Sequence, residues 1–144
     1  MRLIILVLTF VISYGLFAQA QNSGEICGIW TVKNIQLLEM EGIQLNTDEK
    51  QEFDIMKNGF KGATLEFKSD SSCHFLFSKD APDFIKELED HQNMKWRYDL
   101  KENIIMVGTD KDNYTIIGFY FLKKADKIVF LIAESPLALE VIRK

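Results

Sequence analysis

The sequence predicts an all-β fold: an eight-stranded antiparallel up-and-down barrel with two short helices in its longer connections. Three observations predict it. Apolar and polar residues alternate with period two along much of the chain, which puts successive side chains on opposite faces of a sheet. Short clusters of Lys, Asp, Asn, Ser and Gly separate the alternating runs at hairpin spacing. No repeat, low-complexity tract or Pro/Gly/Ser-rich linker divides the chain. A meander of this kind either closes on itself or folds into two packed sheets.

The first 20 residues are set apart from this pattern. Arg2 precedes an apolar run from Leu3 to Ile12, and the stretch closes on Ala18-Gln19-Ala20. A positive start, an apolar centre and a small-x-small end are the parts of a secretory signal peptide. The whole apolar run from Leu3 to Ala18 is shorter than the roughly 20 residues that a permanent membrane-spanning helix needs. Residues 1–20 are therefore expected to be removed, leaving residues 21–144 as one domain, periplasmic or secreted and without stable membrane insertion.

The strands follow in order. Residues 28–38 read as the first, with Trp30 and Val32 on one face; Lys33-Asn34 breaks the parity, so Ile35 keeps that face only through a bulge. Residues 63–67 and 73–77 form a hairpin around a turn at 68–72. Residues 94–100 alternate most cleanly and pair with 104–108. The turn at 110–113 leads into 114–122, and the turn at 123–126 leads into 128–133. A last strand covers 137–143. The helices fall after the first and third strands. Asn46-Thr47-Asp48-Glu49 has the form of a capping box, with Phe53, Met56 and Phe60 at helical spacing and Asn58-Gly59 as a stop. Asp80-Ala81-Pro82 opens the second helix, whose Phe84, Ile85 and Leu88 share a face.

Composition narrows the function. The chain carries 17 Lys+Arg against 21 Asp+Glu, a net charge of −4 that becomes −5 when Arg2 leaves with the signal. No basic stripe interleaved with aromatics is present to follow a phosphate backbone, so nucleic acid is not an expected partner. Cys27 and Cys73 are the only cysteines. Neither directly follows the apolar segment, where lipid attachment would require one. An oxidising compartment favours a Cys27–Cys73 disulfide, two buried free thiols being the other reading.

Catalytic chemistry finds little support. His74 and His91 have no second ligand at metal-binding spacing. Asp110-x-Asp112-Asn113 lacks the glycine and the twelfth-position Glu of a calcium loop, that position being Phe121, and reads as a hairpin turn. Glu39 and Glu41 suit a solvated strand end better than an acid/base pair. No Gly-rich phosphate loop or nucleophile elbow occurs, so no enzyme, cofactor or metal is expected. The aromatics are more telling. Phe67, Phe75, Phe77, Trp96 and Tyr98 fall at one parity on three successive strands, joined by Met106 or its neighbour. An eight-stranded barrel is just wide enough to be filled by side chains or to hold one small ligand. These six residues form the expected pocket wall, with a small hydrophobic or amphipathic ligand beneath the helices. The rival is an interaction module with a filled barrel. It would act through the hairpin at 114–133, whose two faces are both apolar and would also suit a homodimer.

Gly28-Ile29-Trp30 at the start of the first strand, followed by this strand pattern, resembles the lipocalin-like (calycin) barrel proteins of exported bacterial type. Trp96-Arg97-Tyr98-Asp99 before a tight turn is similar to that family's central strand. The resemblance implies that Trp30 closes the bottom of the barrel and that Arg143 of the last strand packs across its indole, with Gly28 opening the strand. The chain lacks a Thr-Asp-Tyr loop and a long C-terminal helix, so the ligands of classical members are not carried over.

Overall fold

The computed structural model describes residues 22–38, 44–91 and 93–144; the expected signal segment and Glu39 and Glu41 lie outside them. Eight strands form one antiparallel, nearly closed barrel: β1 (Gly28–Leu37), β2 (Thr64–Phe67), β3 (Cys73–Leu76), β4 (Lys95–Asp99), β5 (Ile104–Gly108), β6 (Ile117–Lys124), β7 (Lys127–Ile132) and β8 (Leu137–Arg143). The ladder order is β3-β2-β1-β8-β7-β6-β5-β4, so β1 and β8 pair directly. The seam lies between β3 and β4. It is held by a single bridge, Ser72 to Lys95, flanked by Cys73 N–H to Met94 O (3.1 Å) and Trp96 N–H to Ser71 O (2.9 Å).

Because every pairing is antiparallel, alternate strands run in opposite directions. The connections after β1, β3, β5 and β7 therefore share one end. Both helices, α1 (Thr47–Phe60) and α2 (Asp83–Asp90), sit in two of these connections and cap that end. The register of β1 shifts between Val32 and Asn34, the expected bulge. It lets Trp30, Val32 and Ile35 all point inward, each at most 7% exposed.

Two element boundaries and one helix face differ from the sequence reading for physical reasons. Helix α1 begins at the expected capping box, with Asn46 Oδ1 accepting from Glu49 N–H and Glu49 Oε2 accepting from Asn46 N–H, both at 2.9 Å. It does not stop at Asn58-Gly59 but continues to Phe60, whose ring is buried against Phe77. Gly59 is where α2 docks: a Cβ there would stand 2.1 Å from Ile85 Cδ1. On α2, Ile85 is buried while Phe84 is 53% exposed, so Phe84 faces away from the barrel. Strand β6 starts at Ile117 rather than 114 because Asn113 and Tyr114 are both left-handed (φ 55° and 61°) and extend the turn.

The core is a web of edge-to-face and tilted aromatic contacts. Phe130 sits at its centre, within 5.3 Å of Trp30, 6.1 Å of Phe67, 6.0 Å of Phe119 and 5.9 Å of Phe121, ring centroid to ring centroid. A second apolar cluster, Tyr120, Leu122, Leu131 and Ala138, lies on the outer face of β6, β7 and β8. This explains why both faces of that hairpin read as apolar.

Candidate functional site

The expected pocket wall is not one surface. Phe67, Phe75 and Trp96 do meet inside the barrel, with Phe67 5.9 Å from Phe75 and 5.5 Å from Trp96. Phe75, Phe119, Phe130, Leu65, Ile105 and Val107 have no accessible surface at all. A side chain with no accessible surface borders no void large enough for water, so these residues pack against one another rather than around a cavity. Phe77 lies higher, against Phe60 of α1 at 5.3 Å. Tyr98 lies at the opposite end, where its hydroxyl donates to Asn103 Oδ1 (2.6 Å) and Asn103 Nδ2 donates to Phe121 O (2.8 Å). Met106 pairs with Arg97 and Gly118 on the outside of the sheet, and its neighbours Ile105 and Val107 take the inward places.

The helix-free end is closed by Trp30, which is fully buried. Its Nε1–H donates to Ile26 O at 2.8 Å, and the Arg143 guanidinium carbon stands 4.5 Å from the ring centroid. A guanidinium over an indole face gains cation–π attraction. Gly28, at φ 139°, lets the backbone pass beneath Arg143, which also donates to Glu25 O. These contacts knit the start of β1 to the end of β8 and leave the indole no face for a ligand.

The disulfide expectation is corrected. Cys27 and Cys73 are both free thiols. Gly28 and Cys73 each pair with Phe67, from opposite sides of β2. Two strand spacings, about 9.5 Å, thus separate the backbones of β1 and β3, beyond the reach of a disulfide. Burial pushes the Cys73 thiol up to about 12.

The titratable groups of the β5–β6 turn serve the turn itself. Asp112 accepts from Thr109 N–H (3.0 Å), Thr109 Oγ1–H (2.7 Å) and Thr115 N–H (3.2 Å), which holds its carboxyl below the ordinary value. Asp110 is lowered likewise, first by Lys95 Nζ at 2.6 Å and then by the Tyr114 hydroxyl. His74 and His91 are exposed. Among the described residues no three His, Cys, Asp or Glu side chains are grouped to hold a metal. No described helix is long and apolar enough to cross a membrane.

What remains open is at the helix-bearing rim. A groove of about 380 Å³ runs from Met56 of α1 down the outer face of β5 and β6. Ile104 and Met106 of β5 line it together with Tyr114, Ile116 and Ile117 at the β5–β6 turn and the start of β6, and Ala133 and Glu134 after β7. Its floor exists because residue 118 is glycine: a Cβ there would lie 3.0 Å from Ile104 Cδ1 and 3.3 Å from Ala133 Cβ. The methionines and isoleucines give it an adaptable apolar wall. Sequence reasoning had pointed to the 114–133 hairpin but not to this groove, since Gly118 carried no signal until its neighbours across the sheet were known. Comparison of the chain with protein-family models, with curated proteins and with solved structures finds no match.

Proposed function

We propose that this chain is an exported, non-catalytic binding module of lipocalin-like architecture. It takes a small hydrophobic or amphipathic group at the helix-bearing end of the barrel. One observation carries the reading. The aromatic interior is packed, while an apolar groove of ligand size lies open on the rim between α1 and the β5–β6 edge. The barrel then acts as a rigid support, and the groove as the place of contact.

A second reading uses the same surface for a protein partner or a second copy of the chain. It is favoured by the hairpin at 114–133, which supplies Tyr114, Ile116, Ile117, Ile132 and Ala133 to the groove's lining. A neutral solvatochromic probe, Nile red, separates the two. It should brighten with the protein and lose most of that gain with Met106→Glu, which puts a charge in the wall. Failure of the dye to respond, together with a concentration-dependent dimer that Met106→Glu disrupts, would favour the second reading. An unchanged response in Met106→Glu would remove the groove from consideration.

A further inference from the structure

The side chains that line the rim groove bear on the charge of what it can hold. All of them are neutral except Glu134, and the two hydroxyls among them are already used. The Tyr114 hydroxyl donates to Asp110 Oδ1 at 3.0 Å, and the Thr115 hydroxyl donates to the Asp112 carbonyl oxygen at 2.6 Å. An anionic head laid in the groove would meet no free side-chain donor, and stripping it of water without one is costly. A carboxylate stands ready for the opposite charge. Ala133 N–H donates to Gly118 O at 2.8 Å, which sets the β7–β8 connection beside the groove floor. Ser135 N–H donates to Ile132 O at 3.2 Å and ties the turn around Glu134, which is exposed at φ 62°.

A second carboxylate, Glu102, acts on the same stretch of sheet. Tyr120 pairs with Ile104, and its hydroxyl is held above the ordinary value, first by burial and then by the charges of Glu102 and Glu134. Among the described residues neither Glu102 nor Glu134 has an ion-pair partner. The cations are placed elsewhere. Lys95 is taken by Asp110 at 2.6 Å. The Arg97 guanidinium carbon lies 4.7 Å from the Tyr114 ring centroid, on the β4 side. Across the sheet Arg97 is followed by Met106, Gly118 and Ala133, so three strand spacings, about 14 Å, separate its backbone from the Glu134 end. Of the residues outside the described ranges, Arg2 of the expected signal is the only Lys or Arg.

From this one-sided arrangement we infer the charge of the ligand: the groove takes an alkylammonium ion, with its cationic head at Glu134 and its chain over Gly118 against Met106 and the isoleucines. The inference rests on the rim groove being the binding site. An exposed carboxylate attracts only weakly by itself. The preference for a cation comes from two effects in one place, the field of Glu134 and a wall that offers an anion no donor.

The test is an NMR titration of the intact, ¹⁵N-labelled protein at neutral pH with three ligands of one chain length: octylammonium, octanol and octanoate. All three should shift the amides of Thr115, Gly118, Ala133 and Glu134. Octylammonium should bind about fivefold or more tightly than octanoate, with octanol between them, and added salt should narrow the gap between the two ions. Glu134→Gln should bring octylammonium close to octanol, and Glu134→Lys should reverse the order of the two ions. Glu134 is exposed, so an unchanged melting temperature will show that both variants fold. Octanol bound at these amides, with octylammonium no tighter than octanoate or with an order that Glu134→Lys leaves unchanged, would overturn the charge assignment while the groove stands. No shift at these amides with any of the three ligands would overturn the groove itself, and the inference with it.

Discussion

Cys73 shows how a single residue's surroundings decide its chemistry. The side chain is 8% exposed at the start of β3, and burial holds its thiol protonated well above neutral pH. Cys27 is half-buried and separated from it by β2. Folded protein isolated without reductant should therefore yield two free thiols when titrated in denaturant. In the native state Cys73 should resist alkylation at pH 8 while Cys27 reacts faster. One disulfide by intact mass would contradict the strand order at this end. The compartment argument for a bond was sound chemistry, but sequence spacing could not show that β2 would stand between the partners. Met106 makes the same point. Ile104, Ile105, Met106 and Val107 are four apolar residues in a row, so alternation gave no parity there. Only the pairing of Arg97 with Met106 places the methionine outside.

At the scale of elements, most of the barrel was legible because its turns are written in Asp, Asn, Gly and Lys. The strands from residue 94 to 108 and from 137 to 143 were readable nearly to the residue. The stop of α1 was not, because Asn58-Gly59 has turn composition yet serves helix packing: the missing Cβ at Gly59 admits Ile85. Of the two carboxylates in the β5–β6 turn, Asp112 binds the turn's own backbone. Asp112 gathers Thr109 and Thr115, so its folded pKa lies below the unfolded value. Such a group adds stability that is present above the unfolded pKa and lost as pH falls through the folded one. A carboxyl-detected NMR titration should place the Asp112 midpoint below that of a free aspartate, and the turn amides of Thr109 and Thr115 should become mobile as it protonates. Asp112→Ala should show that mobility already at neutral pH. Titration at the ordinary carboxylate value would mean the turn is held by something else.

For the whole molecule, the question is whether the barrel is a container or a support. A barrel of this size can serve as either. The choice here is made by volume: Trp30, Phe67, Phe75, Phe119, Phe121 and Phe130 place six large rings in one interior, each at most 1% exposed. Phe130 touches four of the other rings and has no accessible surface, so its truncation should open a void that its neighbours cannot close completely. Phe130→Ala should cost about 3–5 kcal/mol in denaturant unfolding. The apolar space left should stay dry and accept a ligand of benzene size. Benzene should then raise the melting temperature of Phe130→Ala and leave the parent protein unmoved. A matching rise in the parent would reveal interior room and return the ligand site to the barrel's centre. A rise confined to the variant would leave the rim, with its groove between α1 and the β5–β6 edge, as the surface on which the proposed binding has to be sought.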